Sequence, residues 1–119
     1  MVKDKVVIIN KIKKYIKALE KNITIHKVIL YGSWVNGKPN EFSDIDLAIF
    51  SPDFGKNKLK ELQLLSKLSW EIDESIEAIP YSSATLFTQN PKNFVYEIIK
   101  TGKTIYNQSE KNPASHLNS

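Results

Sequence analysis

At 119 residues, with 41% hydrophobic and 25% charged side chains, the chain has the size and composition of a single globular domain with a real core. Its formal charge is +4, every basic residue is lysine and cysteine is absent, which excludes a disulfide framework, a thiolate zinc site and any phosphate clamp built on arginine forks. Residues 1–9 do not form a signal-peptide pattern and no apolar run reaches membrane-spanning length, so a cytoplasmic protein is expected.

Residues 4–22 predict an amphipathic helix, because Ile8, Ile12, Tyr15, Ile16 and Leu19 recur at three- and four-residue steps while Lys11, Lys13, Lys14, Lys17 and Lys21 fall largely opposite. A lysine-rich helix face invites RNA. The lysines are spread along the whole chain, however, so this face reads as solvated and nucleic acid is not expected as a direct substrate. Asn22 is a plausible stop. His26–Tyr31 reads as a strand on its run of β-branched and aromatic residues. His26, remote from the acidic residues, is expected to be structural or exposed.

Gly32 follows at the strand end, where the lack of a Cβ lets the backbone turn tightly and approach a ligand. Ser33 offers a hydroxyl and opens a short helical segment to Asn36, whose N–H groups suit an anion, phosphate above all. Trp34 is expected in the core, with base stacking as the alternative. Gly37–Asn40 is a turn cluster in which Lys38 is either solvated or in reach of a phosphate.

Ser43–Phe50 predicts the second strand. Alternation sends Asp44 and Asp46 to one face and Ile45, Leu47 and Ile49 into a core. Two carboxylates side by side repel each other, which a protein tolerates where a cation lies between them or one stays protonated. Hard oxygen ligands with room for water and phosphate suit Mg²⁺. A phosphate-cradling turn beside such a pair is a site for phosphoryl or nucleotidyl transfer. Taken alone, Asp-x-Asp would be two solvated aspartates on a surface strand.

Residues 56–72 predict a helix on Leu59, Leu62, Leu65, Leu68 and Ile72, with Leu64 and Trp70 widening its apolar stripe; Glu71, Asp73 and Glu74 read as surface acids. Ser75–Pro80 is a third strand with Ser75, Glu77 and Ile79 on one face. A carboxylate in an apolar strand needs a reason. Glu77 either joins Asp44 and Asp46 around a metal, if the two strands are neighbours, or faces solvent; Asp73 and Glu74 are the alternative third acids. A final helix is expected with Asn90 as N-cap, Pro91 in its first turn, Phe94, Val95, Ile98 and Ile99 on its buried face and Gly102 as its stop. Lys103–Tyr106 adds a short edge strand. The domain is thus read as 1–106, with 107–119 a polar, disordered tail. Alternating helices and strands make the class α/β or α+β with a small mixed sheet.

Gly32-Ser33, ten intervening residues and Asp44-x-Asp46 resemble the signature of the nucleotidyltransferase superfamily related to DNA polymerase beta, with a weaker echo in residues 76–82. The short chain is similar to the minimal nucleotidyltransferase (MNT) branch, many of whose members are antitoxins in HEPN/MNT toxin–antitoxin pairs. The resemblance, over residues 5–106, implies a nucleotidyltransferase fold with helices covering one face of the sheet. It implies Asp44, Asp46 and Glu77 as ligands of two Mg²⁺ ions, with Glu77 also the base, and Gly32 and Ser33 as the holders of the terminal phosphates. The implied reaction moves AMP from ATP to a hydroxyl, tyrosine above all, on a HEPN-type ribonuclease toxin. Two alternatives stand beside it: an antitoxin that blocks its toxin by binding alone, and a small-molecule transferase of the antibiotic-modifying kind. Retention of Asp44, Asp46 and Glu77 speaks against the first. The second would need an acceptor-binding domain that this sequence does not show, so a protein partner or a second copy is expected to supply the missing wall.

Overall fold

The computed structural model describes residues 5–39 and 43–108. Helix α1 (Lys5–Glu20) is followed by strand β1 (Lys27–Tyr31), the one-turn helix α2 (Ser33–Asn36) and strand β2 (Ile45–Ser51). Helix α3 (Lys58–Ile72), strand β3 (Ile76–Ser82), a 3₁₀ turn (Ser83–Phe87), helix α4 (Phe94–Thr101) and strand β4 (Lys103–Asn107) complete the order. The strands form one mixed sheet in the order β3-β2-β1-β4. β1 is antiparallel to both β2 and β4, whereas β2 and β3 run parallel, joined by the crossover through α3. The mixed α/β class expected from the sequence is the class observed, and β4 is the edge strand foreseen after Gly102.

The two faces of the sheet follow the alternation of side chains. Val28 and Leu30 of β1 and Ile45, Leu47 and Ile49 of β2 point to one face, where they pack with Ile8, Ile12, Tyr15, Ile16 and Leu19 of α1 and Leu65 of α3. The periodic positions predicted for α1 are all buried. The Tyr15 hydroxyl, buried between the two long helices, donates to the Leu65 carbonyl at 2.8 Å, and Lys11 pairs with Asp73 just after α3. The opposite face has a smaller cover: Ile29, Ala48 and Phe50 meet Val95 and Ile98 of α4. Helices therefore lie on both faces, the long pair on one and α4 on the other.

Several local expectations need correction. α4 begins one turn later than read, with Asn93 rather than Asn90 as N-cap; Asn90 instead folds a turn, its side chain accepting from Lys92 N–H at 3.0 Å and its carbonyl from Asn93 N–H at 3.0 Å. Phe94 is 60% exposed, not buried. On α3 only Leu65 and Ser69 are buried, while Leu59, Leu62 and Trp70 open to solvent. The 3₁₀ turn after β3 was not foreseen, because its five residues carry no helical period. Gly102 does cap α4, but with extended backbone (φ −73°, ψ 169°) rather than in the left-handed region. Its small size is what counts there, since a Cβ would crowd Ile29 Cγ2 and the Ile98 carbonyl. β4 runs through Asn107, and Gln108 N–H donates to the His26 carbonyl at 3.0 Å. The rest of the expected tail, 109–119, lies outside the described residues. No helix among them is long and apolar enough to cross a membrane.

Candidate active site

Tyr31, Asp46 and Glu77 lie side by side across three adjacent strands, because Asp46 of β2 pairs with Tyr31 of β1 on one side and with Glu77 of β3 on the other. Alternation puts them on the α4 face: Ile45 and Leu47 flank Asp46 in the larger core, as Ile76 flanks Glu77. Glu77 is exposed and Asp46 half-buried. Asp44, exposed, lies two residues before Asp46 at the entry to β2. The three acids singled out in the sequence are thus brought to one end and one face of the sheet. The electrostatics agree. Burial, then the charges of Glu77 and Asp44, push the Asp46 carboxyl up to about 6 from 3.8.

The alternative third acids are placed elsewhere. Burial alone would raise Asp73, but hydrogen bonds from Lys11 Nζ, the Ser75 hydroxyl and the Ser75 N–H outweigh it and hold the carboxyl far below the usual range. Asp73 is a structural clasp between α1 and the start of β3. Glu74 stays exposed on the rim of the adjacent groove.

The turn between β1 and α2 closes the other side of the site. Gly32 has φ 79° and ψ −149°, a conformation that L side chains rarely adopt. A Cβ at this position would overlap the Asp46 Oδ2. The Gly32 carbonyl accepts from the N–H groups of Val35 and Asn36 at 3.0 and 2.9 Å, so the N–H groups of Ser33 and Trp34, in the first turn, have no carbonyl four residues back to meet. Those groups and the half-buried Ser33 hydroxyl are the donors that the sequence reading expects to meet phosphate. Trp34 is core, as read, and its indole N–H is buried without a partner among the described residues. Lys38 is exposed in the following loop. His26 donates to or accepts from the Ser83 hydroxyl at 2.7 Å, a structural tie at the far end of β1 from Gly32.

Sequence reasoning missed two aromatic members of this face. Tyr31 enters the sequence reading only as part of the apolar run that predicts a strand. Burial and then the charge of Asp46 push its phenol up to about 12, so it stays a protonated donor beside the acids. Phe94, at the start of α4, meets Tyr31 edge-on with ring centroids 5.8 Å apart and planes at 79°. The only signal available was the spacing of Tyr31 from Asp46, and that spacing carries no information until the strand register is known.

Among the described residues no group of three or more His, Asp or Glu side chains forms a cage able to hold a metal by itself. The donor set nevertheless fits Mg²⁺ in the manner that ion prefers, with one or two carboxylates and the remaining positions filled by water and phosphate oxygens. The repulsion that raises Asp46 is what a divalent cation would relieve. Asp44, Asp46 and Glu77 are the residues that would hold it.

The family described as “Polymerase beta, Nucleotidyltransferase” matches residues 10–111 of the chain. No curated protein sequence matches it. Among solved structures, the chain is similar to one described as a toxin–antitoxin with AMP-PNP, at 23% identity and a TM-score of 0.54, over 92% of this chain and 82% of that one. It is also similar to one described as the toxin–antitoxin MntA–HepT, at 20% identity and a TM-score of 0.53, over 92% of this chain and 80% of that one. At these identities the likeness is one of fold.

Proposed function

The chain belongs to the polymerase beta nucleotidyltransferase family, and on that premise we propose that it transfers AMP from Mg-ATP to a hydroxyl of a HEPN-type ribonuclease toxin and thereby serves as that toxin's antitoxin. The observation that carries the proposal is the cross-strand row in which Asp46 stands between the Gly32 turn and Glu77. Similarity to toxin–antitoxin structures, one of them with an ATP analogue, supports the choice of donor and acceptor.

In this reading the Ser33 hydroxyl and the N–H groups at the start of α2 bind the β- and γ-phosphates. Mg²⁺, when bound, neutralises phosphate charge and acidifies the attacking hydroxyl. Asp44 and Asp46 would hold that ion, since a carboxylate can meet a phosphate only across a cation. Glu77 takes the proton of the acceptor hydroxyl. The hydroxyl oxygen forms a bond to the α-phosphorus, the bond from that phosphorus to the bridging oxygen of the β-phosphate breaks, and pyrophosphate leaves. Positioning is most of what such a site must do, and rigid strands deliver it. A reaction that consumes ATP and acts on a ribonuclease fits a cytoplasmic protein.

Co-expression with the toxin followed by intact-mass measurement tests the proposal. The toxin should gain one or more increments of about 329 Da, the formula mass of AMP less water, and should lose ribonuclease activity. Neutralisation by the double variant Asp44→Asn/Asp46→Asn, with no mass gain on the toxin, would establish an antitoxin that works by binding alone.

A further inference from the structure

A groove of about 520 Å³ runs along the free edge of β3, between that strand and α3, and ends on the candidate active site. Leu62 and Trp70 form its α3 wall, Ile79 lies on the strand, and Glu74, Glu77 and Asp46 line its acidic end. Trp70 is 67% exposed, and Leu59, one turn before Leu62, is equally open. Leu62 between them is covered in larger part, at 36% exposed. In a chain with a formal charge of +4, the described lining holds three carboxylates and no lysine.

We propose that this groove seats the acceptor polypeptide, through a segment that places an apolar side chain against Leu62 and Trp70, a Lys or Arg against Glu74, and its hydroxyl beside Glu77. This rests on the transferase reading. Direction is the first argument. In-line displacement puts the attacking oxygen opposite the leaving one. The phosphate turn at Gly32 follows β1, Asp46 is on β2 and Glu77 on β3, so an acceptor opposite the leaving pyrophosphate enters from the β3 edge. Charge is the second. Asp46 and Glu77 are assigned to the metal, which leaves Glu74 as the uncompensated carboxylate of a described lining that holds no lysine, and it favours a cationic residue on the acceptor. It also disfavours a second copy of this chain, because a two-fold contact centred on the groove would set Glu74 against its own equivalent. Surface chemistry is the third. An exposed tryptophan beside a leucine is the kind of anchor that polypeptide interfaces bury.

The test uses the full chain with the HEPN-type toxin as acceptor, in wild type, Trp70→Ala and Glu74→Lys, both surface changes whose folding is checked by circular dichroism. Each variant should raise the KM for the toxin about tenfold or more, while kcat and the calorimetric Kd for Mg-ATP stay within about twofold of wild type. An unchanged KM in both variants overturns the groove. If wild type binds the toxin but transfers no AMP, the transferase reading fails by itself. The groove is then judged by the toxin's Kd: weakening of about tenfold in each variant upholds it, and an unchanged value overturns it. Transfer to kanamycin but not to the toxin, or a homodimer abolished by Trp70→Ala, also overturns it.

Discussion

Gly32 and Asp46 are packed so closely that any side chain on Gly32 would occupy the space of the Asp46 carboxylate. The turn proposed to hold phosphate and the acid proposed to hold the metal are therefore in direct packing contact. Gly32→Ala meets two obstacles, a positive φ and a collision. It should lower stability by about 1–3 kcal/mol and displace Asp46. The prediction is a folded protein with a lower Tm and no measurable Mg-ATP binding by calorimetry. Retention of wild-type nucleotide affinity would show that the contact can relax without consequence.

Asp46 should cost the metal-free fold stability at neutral pH. Its carboxyl, raised from 3.8 to about 6 by burial and by Glu77 and Asp44, holds a proton more tightly folded than unfolded. Stability from this group is therefore present below pH 4 and lost as pH rises through about 6. Asp46→Asn removes the charge, and after allowance for solvent screening it should stabilise the protein by about 1 kcal/mol at pH 8. Melting curves without divalent metal at pH 4 and pH 8 check this. The gain in Tm should appear only at the higher pH.

Asp73 has the opposite sign. Its carboxyl is held well below the usual range by Lys11 and Ser75 against the effect of its burial, so it contributes stability above the unfolded pKa, near 4, that is lost as pH falls below it. Lys11→Met breaks the 2.5 Å pair that joins α1 to the entry of β3. It should cost about 1.5 kcal/mol at pH 7 and progressively less as Asp73 is protonated. Urea unfolding at pH 7 and at the lowest pH where both proteins stay folded is the measurement. An equal cost at both would assign the effect to lost packing of the lysine stem.

Much of this was legible in the sequence because it is written in period and punctuation. The α1 stripe of Ile8, Ile12, Tyr15, Ile16 and Leu19 is a helical period that the fold buries entirely. Gly32 after an apolar strand marks a position that a larger residue would not fit, and alternation along β2 does send Asp46 to the face opposite Ile45 and Leu47. What failed depends on the neighbours of an element. The leucines of α3 have the right period, yet α1 and the sheet cover only part of that helix, so Leu59 and Leu62 stay open. Phe94 has the period of a core residue but sits on the first turn of α4 at the end of β1, where its ring meets Tyr31 edge-on and is otherwise open. That Glu77 lies level with Asp46 required knowing that β3 is the parallel neighbour of β2, and no local pattern encodes that.

The roles proposed for Ser33 and Glu77 can be separated by kinetics, because one residue is proposed to contact the donor and the other the acceptor. Ser33 lies at the phosphate turn, and Ser33→Ala removes one hydrogen bond to a charged group, about 1.5–3 kcal/mol. The Kd for Mg-ATP should rise about tenfold or more. Glu77 is exposed on the β3 side of Asp46, so Glu77→Gln keeps the shape of the site and the fold while removing the group that accepts the proton. Transfer should fall by a factor of about 10² or more, with ATP affinity reduced less than in Ser33→Ala. The pair of measurements is decisive because a merely structural role for either residue would move both quantities together. If Glu77→Gln transfers AMP at the wild-type rate, the proton acceptor has to be sought elsewhere on this face. Asp73 is not that acceptor, since it is already committed to Lys11.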